Sequence, residues 1–134
     1  EVFFDIRRRR GMRLSKYNFV NSMRLQEKLK EQGIEYIYLK ELAPTQDMRE
    51  KQKLEDQRMN IKKTNRSTLG NAFIDAYSKE CLSKFDVNKF MKDFSKYKAS
   101  VFFCVEAEPR ACHRYLVAEM LKREINVEVE HIIK

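Results

Sequence analysis

"SVFFCVEAEPRACHRYLVAEMLKRE", residues 100–124, is the stretch on which the reading of the fold turns. Ser100 to Val105 is a short run of apolar, aromatic and β-branched residues, the pattern of a strand buried on both faces. From Pro109 to Glu124, Leu116, Val117, Met120 and Leu121 recur at helical spacing. Proline suits the first position of that helix, because an N–H there would have no partner anyway. A strand that turns straight into a helix is half of a βαβ unit, so the stretch predicts parallel strands joined by helical crossovers.

The same alternation continues outward from it. "VFFDI" (Val2 to Ile6) is a second buried strand, followed by the basic loop "RRRRGMRLSKYN". Phe19 to Gln32 carries helical periodicity, with Asn18 as a candidate N-cap and Gly33 where a helix C-terminus wants one. "IEYIYL" (Ile34 to Leu39) is a strand rich in β-branched and aromatic residues. Residues 45–65 are polar, without an aromatic, and read as an exposed helix, a lid or an excursion. Helices are expected from Asn71 to Leu82 and, capped by Asp86, on to Lys98. "NVEVEHII" (Asn126 to Ile133) alternates strictly enough to predict a half-exposed edge strand. The expectation is one α/β domain over residues 1–134: a mostly parallel sheet with helices on both faces, Rossmann-like in three layers, with the last strand at an edge.

With 134 residues, 43% of them hydrophobic, the chain can bury one core and is not a disordered polymer. No apolar stretch approaches the roughly 18 residues that cross a bilayer, so no membrane role is expected. The chain opens on a strand without an initiator methionine and reads as part of a longer polypeptide. Three cysteines are an odd count for a disulfide framework, which points to free thiols in the cytoplasm. Lysine and arginine outnumber the acids 28 to 20, giving +8 and a pI near 9.4. That excess makes nucleic acid or a nucleotide the candidate partner.

Ligands of open α/β sheets bind beyond the carboxyl ends of the strands. Asp5 and Arg7 from the first strand, Cys104 and Glu106 from the "SVFFCV" strand, and His131 from the last all fall at that edge. Cys112, His113 and Arg114 join them from the corner. Cys112, at the start of the helix between two arginines, is the candidate nucleophile, with His113, Glu106 and Cys104 beside it for proton transfer. Arg7 and Arg114 are candidates for holding an anion. The run Arg7 to Arg10, with Arg13, Lys16, Tyr17 and Phe19, adds cations and rings suited to a nucleotide. Plainer readings stand beside these. Cys104 and Cys112 can be core packing, His131 a hydrogen-bonded core histidine, Asp5 a holder of Arg7, and the arginine run a solvated loop. Cys81 reads as packing.

Two sharper patterns fit less well. Cys104 and Arg110 are spaced as in a cysteine-phosphatase loop, but Glu106 and Glu108 would put negative charge in the anion cradle, and the loop has no glycine. Zinc at Cys104, Cys112, His113 or His131 meets the objection that neighbours on a helix point apart, and no Cys-x-x-Cys pair exists. No metal or other cofactor is assigned.

Taken together these residues resemble the DUF488 family of small α/β proteins of unknown function. The family hallmark, Cys-x-Glu-x-x-Pro-x-x-Cys-His-Arg, is complete as Cys104, Glu106, Pro109, Cys112, His113 and Arg114. Asp5 and Arg7 are similar to its "DVR" strand end, and Asn18 matches a frequent asparagine. "GIEYIYLKEL", "FIDAY" and Val129-x-His131-Ile132 resemble further family segments. Departures are a missing first strand with "T-I-G-[HY]-S", "LAP" (Leu42 to Pro44) in place of "LGG", and no proline after the "DVR" position. The resemblance implies the fold and the set of pocket residues; it carries no reaction, and only suspected nucleic-acid-related roles. An enzyme acting on an anionic substrate and a non-catalytic nucleic-acid-binding module with a Cys/Glu/Arg knot both remain open.

Overall fold

The structure, a computed structural model, describes residues 1–11 and 15–133. Three strands form one parallel sheet in the order β2-β1-β3: β1 is Val2–Asp5, β2 Glu35–Tyr38 and β3 Ser100–Phe103. The helices are α1 (Ser22–Glu31), α2 (Gln46–Arg58), α3 (Asn71–Glu80), α4 (Val87–Phe94) and α5 (His113–Ile125). Short 3-10 turns connect several of them, including Ser15–Val20 and Pro109–Ala111. This is the expected single α/β domain.

The period of two in β1 separates the faces of the sheet. Val2, Phe4 and Ile6 are fully buried and pack with Phe73 and Tyr77 of α3, Phe90 of α4, and Val117, Met120 and Leu121 of α5. Phe4 meets Phe90, Phe94 and Phe102 at ring-centroid distances near 5 Å. The other face carries Phe3, Asp5 and Arg7, and there Arg7 bonds the Val20 carbonyl, so the chain leading into α1 covers that side. Tyr77 lies inside the first face, its hydroxyl donating to the Leu42 carbonyl at 2.7 Å. Tyr77→Phe orphans that buried acceptor and is expected to cost about 1–2 kcal/mol in urea denaturation. A loss under about 0.3 kcal/mol would show the bond to be energetically idle.

Local signals act where the sequence places them, with shifts of boundary. Asp86 caps α4 by accepting from the Lys89 N–H at 2.8 Å, and Gly33 takes the left-handed φ of 68° after α1. Asn18 lies within a 3-10 turn, and α1 starts at Ser22. The polar 45–65 segment contains α2, capped by Thr45 and anchored by buried Met48 and Gln52. Gln52 accepts from the Gly70 N–H at 2.8 Å, which ties α2 to the start of α3.

Two expectations are corrected. Residues 126–133 form no strand: Asn126 ends α5 in the left-handed region (φ 52°), and Ile132 and Ile133 are 76% and 68% exposed. Alternation prepares a strand, but one forms only where a neighbouring edge accepts its backbone bonds, and this segment forms no such ladder. β3, in turn, is a strand but not a doubly buried one, for among the described residues it lies at the edge and Val101 is 38% exposed. The central strand is β1, buried along its length except at half-buried Phe3.

Candidate functional site

Because β1 and β3 run parallel, their carboxyl ends leave the sheet side by side. β3 ends into Cys104 and Glu106, and the loop returns through the Pro109–Ala111 turn to Cys112. Cys112 is not within the helix as the sequence suggests. It is the N-cap of α5, with extended φ −132° and ψ 142°. That single extended residue turns its side chain back toward the strand end, while His113 begins the helix.

Four side chains meet there. Cys104 donates to Glu106 Oε2 at 2.8 Å, and Cys112 Sγ lies 3.6 Å from the same oxygen. Cys112 Sγ is 3.8 Å from His113 Nδ1. His113 Nε2 is 2.9 Å from the Ile6 carbonyl, which can only accept, so Nε2 carries a proton and donates while Nδ1 faces the sulfur. The Cys104, Cys112 and His113 donor atoms all lie within 4.8 Å of one another. Cys112 and His113 are buried, and Cys104 and Glu106 are partly exposed.

The electrostatics separate two similar thiols. The Cys104 hydrogen bond is the largest influence on Cys112; burial opposes it and His113 adds to it, so the Cys112 thiol is lowered to about 5. Cys104 is pushed well up, first by its bond to Cys112 and then by burial. Burial would raise Glu106, but Lys63 and the Cys104 hydrogen bond outweigh it and hold the carboxyl at about 2. Burial would lower His113, yet the adjoining sulfur and the Ile6 carbonyl raise it. These directions favour the charged forms of Cys112, His113 and Glu106.

Lys63 was not anticipated. It comes from the loop after α2 and places Nζ 3.0 Å from Glu106 Oε1. Three residues on, Arg66 pairs with Asp56 at 2.7 Å and donates to the Ala111 carbonyl at 3.1 Å, fastening the same loop to the corner. Neither has a spacing signal in the sequence, because both reach the corner from a segment that reads only as polar.

The remaining candidates are not among these four side chains. Asp5 and Arg7 form a buried ion pair at 2.7 Å, exposed 0% and 2%. Asp5 also accepts from the Tyr36 hydroxyl at 2.6 Å, and Arg7 Nη1 donates to the Val20 carbonyl at 2.8 Å. Between them, the backbone carbonyl of Ile6 is the partner of His113 Nε2. Arg114 donates to the Glu106 and Ala107 carbonyls, bracing the loop. His131 is half-buried, its ring tilted against that of Tyr115 at 5.6 Å between centroids. Arg110 is exposed, over the Tyr115 ring at 5.9 Å. Arg8 and Arg9 are exposed, whereas Arg10 lies over the Tyr38 ring at 3.9 Å. Phe19 is 62% exposed; Arg13 and the Lys16 side chain lie outside the described residues. Cys81 is buried, and burial pushes its thiol up, as packing requires.

Fold and corner together define an α/β domain with a compact thiol–imidazole–carboxylate centre at the carboxyl edge of its sheet. The chain belongs to the DUF488 family, "Domain of unknown function DUF488", whose family model matches residues 1–121. Neither the curated proteins nor the solved structures give a match to this chain. Among the described residues no helix is long and apolar enough to cross a membrane.

Proposed function

We propose that this domain is an enzyme in which Cys112 is the nucleophile, His113 its proton partner, and Glu106 with Cys104 the polar wall of the site. The observation that carries the reading is the relay Cys112 Sγ, His113 Nδ1, His113 Nε2, Ile6 carbonyl, with steps of 3.8 and 2.9 Å. It repeats the logic of activated nucleophiles, in which a base touches the attacking atom and a third group orients the base. Cys112 is only 1% exposed, so a substrate arrives past Cys104 and Glu106, which are partly exposed.

The substrate is anionic, of the nucleotide or nucleic-acid class. Lys63 at the rim of the cluster, the exposed Arg8 and Arg9 that follow β1, and the net charge of +8 support this choice. Asp5, Arg7 and Arg114 serve as the frame that holds the loops, and His131 is an outer contact. Unpaired thiols suit a reducing compartment, and we place the protein in the cytoplasm.

The test is alkylation of the reduced protein by iodoacetamide at neutral pH, mapped by peptide mass. Cys112 or Cys104 is expected to react well before Cys81, the internal control. Equal, slow labelling of all three would remove the nucleophile. A second reading has its own support in the internal partners of Arg7 and Arg114: a nucleic-acid-binding module whose corner is structural. Salt-dependent binding to mixed DNA or RNA, lost on charge reversal of Arg8 and Arg9, together with no selective alkylation, would favour it.

A further inference from the structure

We propose that the corner is a binding site for a zinc-class divalent ion, with Cys104 Sγ, Cys112 Sγ, His113 Nδ1 and one oxygen of Glu106 as its four ligands. Two sulfurs, an imidazole nitrogen and a carboxylate oxygen are a donor set that favours zinc over magnesium or calcium. Tetrahedral zinc, with bonds of about 2.0–2.3 Å, holds its ligand atoms roughly 3.3–3.8 Å apart. Cys112 Sγ already stands 3.6 Å from Glu106 Oε2 and 3.8 Å from His113 Nδ1. The three sulfur and nitrogen atoms lie within 4.8 Å of one another. Only the Cys104 to Glu106 contact, at 2.8 Å, must open to admit an ion.

The surroundings carry the case beyond a cluster of donors. A histidine that binds metal through one nitrogen typically gives its other N–H to a carbonyl or carboxylate, which fixes the ring. His113 does this toward the Ile6 carbonyl at 2.9 Å, leaving Nδ1 facing the sulfurs. A ligating carboxylate is likewise held by its second oxygen, and Glu106 Oε1 is held by Lys63 at 3.0 Å. The objection that adjacent residues diverge does not apply, because Cys112 is extended and His113 helical. Charge closes as well: a dication balances two thiolates, and Lys63 balances Glu106. On binding, two protons held among Cys104, Cys112 and His113 pass to solvent, and no sulfur changes oxidation state.

Binding of the ion stands independently of the enzyme reading; its consequence rests on that reading. With one lone pair engaged by the ion and its charge drawn toward it, Cys112 attacks a substrate more slowly, so zinc is a reversible brake on the centre.

The experiment uses the full chain, tag-free, reduced and stripped by a chelator, titrated with Zn²⁺ against a chromophoric competitor and separately with Co²⁺. One Zn²⁺ per chain is expected, with sulfur-to-cobalt charge-transfer absorption in the cobalt form. Cys104→Ser, at a partly exposed position, is expected to weaken binding by about 100-fold or more, and Lys63→Ala by about tenfold. Cys81→Ser leaves binding unchanged. Circular dichroism of each variant separates lost ligation from lost folding, and Lys63→Ala, on an exposed side chain, keeps the test open should Cys104→Ser unfold. Absence of the charge-transfer band, or equal loss in Cys81→Ser and Cys104→Ser, overturns the site. Saturating Zn²⁺ is expected to slow iodoacetamide labelling of Cys112 more than tenfold. Zinc binding without any labelling of the metal-free protein would sink the nucleophile and leave the ion; labelling without zinc binding would do the reverse.

Discussion

Asp5→Asn is expected to remove about 3–5 kcal/mol of stability, the range for breaking a buried ion pair from one side. Asp5 and Arg7 are 0% and 2% exposed, so solvent does not screen the loss. The Asp5 carboxylate accepts from the Arg7 backbone N–H, from Arg7 Nε and Nη2, and from the Tyr36 hydroxyl. An amide in its place keeps the shape but leaves the guanidinium without a counter-charge. For a domain stable by about 5–15 kcal/mol this is a large fraction, and chemical denaturation reads it directly. Arg7→Met on top of Asp5→Asn is expected to recover part of the loss, since the orphaned charge goes too. If Asp5→Asn costs less than about 1 kcal/mol, the pair is not the clamp described.

The same pair sets a pH dependence. Burial would raise Asp5, but its bonds from Arg7 and Tyr36 outweigh burial and leave the carboxyl below its ordinary value. A group lowered in the folded state binds fewer protons there than in the unfolded chain, so its stabilisation is complete above the unfolded value, near 3.9. It is lost as pH falls through the folded value. Wild-type stability should therefore decline below about pH 4, more steeply than that of Asp5→Asn. Parallel acid limbs for the two proteins would contradict this.

His113→Phe is the second large effect. The ring keeps its edge-on packing against Tyr77, at 5.5 Å between centroids, but both nitrogens go. The Ile6 carbonyl loses its donor, at about 1–3 kcal/mol, and Cys112 loses the imidazole that, after the Cys104 hydrogen bond, helps hold its thiol low. Iodoacetamide labelling of Cys112 is expected to slow by at least about tenfold, while that of Cys81 is unchanged. Unaltered labelling in a folded variant would reduce His113 to a packing residue. The pairing of a stability readout with a reactivity readout matters here, because a purely structural histidine moves only the first.

Much of this was legible from local pattern. The alternation of short apolar runs with helical periodicity yields the parallel α/β sheet, and the Cys104-to-Arg114 hallmark marks the corner. Both rest on information carried within a dozen neighbouring residues. The pattern failed at 126–133, where a period of two was present and a pairing edge was not. It also overstated β3, since a run of phenylalanines looks the same at the middle of a sheet and at its rim.

What the chain determines by itself is which side chains are available and in which elements they sit: Cys104 at a strand end, Cys112 and His113 at a helix start, Asp5 two residues before Arg7. Only the tertiary structure decided which of them meet. It turned Cys112 back through one extended residue, brought Lys63 across from a polar loop some forty residues away in sequence to Glu106, and closed Asp5 and Arg7 into a buried ion pair with each other. The physical reason is that proximity between distant segments is set by crossover handedness, sheet order and the face on which each residue falls, none of which is encoded at any single position.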